Sequence, residues 1–165
     1  MTEAQEPLRV DDSMSSIESE NNLEKLVILE STVKKLVNDE SRLLLAYLHG
    51  STAKMLTTPL SDIDLAFFYP FEDVKEISNH KTILLRLIGF FEQELPQWNL
   101  DVRLLNNAPW DFCFAVINGR LLYAKNEDMR AQYEMEVITK YLDFKPITDY
   151  YLTVQKQMLL GDLTR

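Results

Sequence analysis

Leu43, Leu44, Leu45, Ala46, Tyr47 and Leu48 form an unbroken apolar run of strand length, and the run stops at His49-Gly50. A strand that faces solvent on one side alternates apolar with polar residues. One without polar breaks is buried on both faces, at the centre of a sheet. That single segment demands covering layers on each side, and the rest of the chain supplies candidates for them. Leu23, Leu26, Val27, Val33, Leu36 and Val37 recur with helical spacing behind a capping-box pair, Asn21 and Glu24, which predicts a first helix to about residue 38. After Gly50 come a short helical piece over 51–56, a turn at Pro59, and a second strand over 62–68 stopped by Pro70.

Asp73 and Glu76 cap a further helical segment whose stripe is Ile77, Leu84, Leu87, Ile88, Phe91 and Leu95. Residues 98–105 then alternate cleanly: Leu100, Val102 and Leu104 face one way, Asn99, Asp101 and Arg103 the other. Pro109 opens another helix that Asn118-Gly119 ends, residues 120–124 make a short edge strand, and Pro146 separates two last helices at about 127–142 and 148–160. The pattern predicts an α/β (α+β) fold, a small mixed β-sheet flanked by helices. Residues 21–165 form its single domain. Residues 1–20, acidic, Ser-rich and poor in large apolar side chains, are expected to be a disordered tail.

Charge narrows the partners. The formal net charge is −9 and no run of Lys or Arg exceeds two. Proteins that grip a nucleic-acid backbone draw most of their non-specific affinity from basic side chains on phosphates, so nucleic acid is not expected and a basic protein partner fits better. No apolar run approaches the ~18 residues of a membrane span, and no secretory leader is visible, so the expected location is cytoplasmic. The one cysteine, Cys113, lies among Trp110, Phe112, Phe114 and Val116 and reads as a small buried hydrophobe.

The chemistry sits where the first two strands end and begin. Asp62 and Asp64, two apart in a strand, project from one face. Adjacent carboxylates on a core strand need compensation. Either that face is solvent, or the pair binds a hard cation such as Mg²⁺ through oxygen. Gly50-Ser51 lies between a strand and a helix start, where glycine lets backbone N–H groups approach an anion and a hydroxyl can donate to phosphate; the alternative is a plain N-cap. The two features together are far more specific than either alone, expected by chance in roughly one chain of this length in several hundred.

The stretch Gly50-Ser51-x10-Asp62-x-Asp64 resembles the signature of the nucleotidyltransferase superfamily that includes DNA polymerase beta. The short chain is similar to its minimal (MNT) members, antitoxins of HEPN/MNT toxin–antitoxin pairs. The resemblance extends over 22 to about 145 and implies a third carboxylate on a later strand, a position that Asp101 matches. It implies catalytic and metal-binding roles for Asp62, Asp64 and Asp101, with two Mg²⁺ ions on the triphosphate of ATP, and nucleotide contacts from Gly50, Ser51 and Lys54. Lys54 is equally readable as a solvated helix lysine, and Met55 stands where the family often has glycine. The implied reaction is transfer of AMP to a tyrosine hydroxyl of a HEPN-domain ribonuclease toxin. Two rivals remain: a non-catalytic antitoxin acting by stoichiometric binding, and a small-molecule transferase of the aminoglycoside type. His49 and His80 are assigned no role. Tyr133, Tyr141, Tyr150, Tyr151 and Met158 are interface-type residues, most of them expected in the core.

Overall fold

The computed structural model describes residues 12–53, 62–74 and 77–162. Among the described residues four strands form one sheet: β1 (Leu45–His49), β2 (Ile63–Phe68), β3 (Leu100–Leu104) and β4 (Arg120–Ala124), in the order β3-β2-β1-β4. β1 runs antiparallel to both β2 and β4, and β2 runs parallel to β3, so the sheet is mixed as the sequence predicts. The apolar run is central: Leu45, Ala46, Tyr47 and Leu48 are each 1% exposed or less. The helices around the sheet are α1 (Asp12–Asp39), α2 (Gly50–Ala53), α3 (Phe71–Val74), α4 (Ile77–Glu94), α5 (Trp110–Ile117) and α6 (Glu127–Asp162).

Strand alternation divides the core in two. On one face Ala46, Leu48, Leu65, Phe67, Val102 and Leu104 pack against α1 and α4 through Leu29, Val33, Leu87 and Phe91. On the other, Leu45, Tyr47, Ala66 and Phe68 pack against α5 and α6 through Cys113, Val116, Tyr133 and Val137. Burial pushes the Cys113 thiol pKa up, so it stays protonated and behaves as the expected small hydrophobe. A polar anchor fastens α6 to the sheet. The Tyr47 hydroxyl donates to Glu134 Oε1 at 2.9 Å, while Arg130 holds both oxygens of that carboxylate at 3.0 and 3.1 Å.

Three helix boundaries differ from expectation. α1 begins at Asp12, so residues 12–20, expected as tail, are helical, and Asn21 lies inside the helix rather than at its cap. No proline or glycine lies between Asp12 and Glu24 to stop it. Its buried stripe is Leu26, Leu29, Val33 and Leu36, whereas Leu23 and Val27 are exposed. The two expected C-terminal helices are one, with Pro146 inside α6. A proline removes one backbone hydrogen bond, and on an exposed helix water can serve the orphaned carbonyl, so the helix runs on. Asp73, expected to cap the third helical segment, lies inside the separate short helix α3 instead; Glu76 and the predicted turn at Pro59 fall outside the described residues. No helix among the described residues is long and apolar enough to cross a membrane.

Gly119, just after α5, is a tight joint. A Cβ there would overlap the backbone oxygen of Leu48 and lie 3.0 Å from that of Val116. Backbone cannot step aside as a side chain can. Gly119→Ala is therefore expected to cost about 2 kcal/mol or more in urea unfolding.

Candidate active site

Strand register places the predicted carboxylates. Asp64 is paired in register with His49 of β1 on one side and with Asp101 of β3 on the other, so three polar side chains cross the sheet on the face that α5 and α6 cover. Asp62 precedes β2 by one residue and is exposed. Because neighbouring strands are ~4.8 Å apart, Asp64 and Asp101 share one electrostatic neighbourhood. Burial raises the Asp64 pKa above its ordinary value; His49 and Arg103 pull it back down, while Asp101 and Asp62 push it further up.

Gly50 closes the site from the β1 side. Its φ is +71°, the left-handed region that favours glycine. A Cβ built on it would collide with Asp64 Oδ2, so the missing side chain is the space that the carboxylate occupies. α2, beginning at Gly50, has four residues, so its dipole adds little; the backbone N–H groups and the exposed Ser51 hydroxyl are what it offers to an anion. The buried Thr52 hydroxyl donates to the Asp62 carbonyl at 3.1 Å and ties this turn to the head of β2. Lys54 lies outside the described residues.

Several side chains that the sequence reading did not single out hold the carboxylates in place. Asn99 donates its amide to Asp62 Oδ1, and its own backbone carbonyl accepts from the Ile63 N–H at 2.9 Å. Arg103 grips Asp101 Oδ2 through both Nε and Nη2, each at 2.9 Å. Strand alternation had put Asn99, Asp101 and Arg103 on one face, and that was the signal available for these partners. Among the described residues no three His, Cys, Asp or Glu side chains are gathered closely enough to form a metal cage. The donor set still suits a hard cation: carboxylate oxygens only, an Asp64 pKa raised first by burial and then by the neighbouring carboxylates, and a glycine that clears the space above it.

His49 is half-buried, its ring edge-on to Phe112 with centroids 5.2 Å apart. Burial lowers its pKa against the opposing pull of Asp64 and Asp101, so it is neutral near pH 7, a packed strand-end histidine. Arg103 reaches over the same Phe112 ring, 5.5 Å from its centroid. Beyond Asp101 a cavity of about 560 Å³ opens between β3, α4 and the start of α5, lined in part by His80, Asp101, Arg103, Asn107, Asp111 and Phe112.

Asn99→Ala should release Asp62 without touching the fold. For the metal-binding role that the family resemblance implies for Asp62, a loss of about 10- to 100-fold in Mg²⁺ affinity is expected, the usual effect of removing a ligand's supporting hydrogen bond. Mg²⁺ titration by calorimetry, wild type against variant, checks this.

Residues 31–128 match the family model of the polymerase beta nucleotidyltransferase domain. The chain belongs to that family. No curated protein matches it. Among solved structures, a toxin–antitoxin crystallised with AMP-PNP superposes with a TM-score of 0.53 at 21% identity, covering 82% of this chain and 98% of that one. A tri-AMPylated Shewanella oneidensis HEPN toxin in complex with MNT antitoxin gives 0.51 at 19% identity, covering 85% and 99%. At such identities the likeness is one of fold. As a nucleotidyltransferase-family domain, the chain carries its family match from the second half of α1 to the start of α6, a span that includes Gly50, Asp62, Asp64 and Asp101.

Proposed function

We propose that this chain is a Mg²⁺-dependent adenylyltransferase antitoxin that transfers AMP from ATP to a tyrosine hydroxyl of a cognate HEPN ribonuclease toxin in the cytoplasm. The observation that carries the reading is the parallel register of β2 and β3, which sets Asp64 beside Asp101 while Gly50 closes over Asp64 from β1. Support for nucleotide and partner comes from what the two solved neighbours hold, AMP-PNP in one and an AMPylated HEPN toxin in the other. The net charge of −9 suits a basic protein surface.

Asp62, Asp64 and Asp101 would hold Mg²⁺, which when bound neutralises triphosphate charge and makes a hydroxyl more acidic. The remaining work falls to the chain's own groups. Gly50 and Ser51 orient the phosphates, with Lys54 as a further point charge on them. The sheet order supports a direction of attack: with the phosphate turn on the β1 side and Asp101 on the edge strand β3, the acceptor would enter through the 560 Å³ cavity beside Asp101. The acceptor oxygen bonds to the α-phosphorus, the bond to pyrophosphate breaks, and Asp101 accepts the hydroxyl proton.

Incubating the chain with ATP, Mg²⁺ and its cognate toxin should add AMP to the toxin, read by intact mass. An unchanged mass alongside a working control transferase rules the activity out. The pairing of Asp62 and Asp101 with Asn99 and Arg103 favours one second reading, neutralisation by occlusion alone. Toxin neutralisation that survives in an Asp62→Asn, Asp64→Asn double variant selects it.

A further inference from the structure

The second half of α6 lies outside the 31–128 family match and presents apolar side chains to solvent. Tyr141 still stacks on Phe114, centroids 3.9 Å apart. Past it, Phe144 is 51% exposed, Ile147 53%, Tyr151 67% and Met158 66%. With half-buried Val154, these residues are spaced 3-4-3-4, the a/d seam of a helix pair. Seven residues before Phe144 is Val137 and fourteen before Ile147 is Tyr133, both buried against the domain, so the seam continues the face by which α6 is anchored.

The charges identify the occupant. The positions flanking the seam are Thr148, Tyr150, Gln155 and Gln157, all uncharged, and the segment 144–158 carries two lysines and one aspartate in a chain of net charge −9. A basic partner has little to attract it here, whereas the flanking positions of two identical copies bring no like charges face to face. The shared face also sets the orientation. A parallel pair would force both domains into the space between the two helices. An antiparallel pair places them at opposite ends, with Tyr151 against Val154 of the second copy and Ile147 against Met158 of the second copy. Each helix end then reaches the other copy's groove of about 400 Å³ beside Trp110 and Phe144. The exposed seam side chains offer on the order of 600 Å² per copy, close to the ~800 Å² per partner of a standard interface.

We propose that residues 144–158 of α6 form an antiparallel homodimerisation seam. Light scattering of the full chain at about 10–100 μM, a range suited to a micromolar Kd, should give twice the chain mass. Ile147→Glu with Tyr151→Glu should give single chains with an unchanged circular dichroism spectrum, while Leu152→Glu, on the opposite side of the helix, should leave the dimer intact. Tyr151→Cys with Val154→Cys should crosslink between copies on oxidation; Cys113, 1% exposed, does not compete. If the charged variants do not fold, the crosslink decides alone. A wild type that stays single at about 100 μM, a dimer that survives the seam charges or is lost in Leu152→Glu, or better crosslinking through Tyr151→Cys alone would each overturn the proposal. So would a single-chain wild type whose seam variants lose the toxin, which would assign the face to that partner. Neither nucleotide nor acceptor enters the mass and crosslinking measurements, so their failure leaves the proposed activity standing.

Discussion

Asp64→Asn is expected to lower AMP transfer on the order of 10³-fold and, in the same molecule, to raise the Tm of the metal-free protein. The two effects share one origin. Asp64 sits partly buried between His49 and Asp101, with burial and the neighbouring carboxylates holding its pKa above the ordinary value. The folded state therefore binds a proton at Asp64 more tightly than the unfolded state does, and stability from this group falls as pH rises from the ordinary carboxylate pKa through the raised one. Above that window the wild type carries the full cost of an ionised Asp64. An amide of the same shape carries no charge, so the stability advantage of the variant should grow through the window and then level off. Thermal unfolding from about pH 4 to pH 7, paired with a mass-based transfer assay, measures both. A variant no more stable than wild type at pH 7 would mean that the site is not electrostatically strained.

Gly50→Ala should damage activity and fold together. The left-handed φ of +71° costs a non-glycine residue about 1–2 kcal/mol. The new methyl would also have to displace Asp64 Oδ2, whose position it overlaps. Asp64 is a side chain and can rotate aside, so the protein should still fold. Rotation carries the carboxylate out of the site, and a shift near 1 Å in a reacting geometry costs about 10²-fold in rate. Gly89→Ala is the matched control. Gly89 lies inside α4, and a methyl added there meets nothing within 4 Å, so the same substitution should stabilise by about 0.8–1 kcal/mol and leave transfer unchanged.

Much of the frame was readable because its signals are local. The run from Leu43 to Leu48, the alternation around Asp101 and the Pro109 and Gly119 boundaries each follow from a few neighbouring residues, and each appears in the structure. Asp101 beside Asp64 is the informative case, since alternation fixed its face and only strand pairing could fix its neighbour. What escaped the sequence depends on distant partners. Whether Pro146 ends a helix turns on whether its orphaned carbonyl meets water. Whether Tyr133 is buried and Tyr150 and Tyr151 are not turns on how far the domain extends beneath α6. Asn99 and Arg103 gave no motif, because a supporting hydrogen bond is set by geometry between strands rather than by spacing along one.

The two faces of the sheet have a consequence for how such a domain can change over generations. Asp64 and Asp101 belong to the side covered by α5 and α6, while Leu29, Val33, Leu87 and Phe91 sit in the larger apolar cluster under α1 and α4. Substitutions at Leu29, Val33, Leu87 or Phe91 draw on the stability margin alone, and compensating changes there can accumulate without passing through inactive intermediates. The opposite side is constrained twice, by packing and by chemistry, so lineages should diverge fastest beneath α1 and along the buried stripe of α4, away from the end of α4 where His80 and Leu84 line the acceptor cavity.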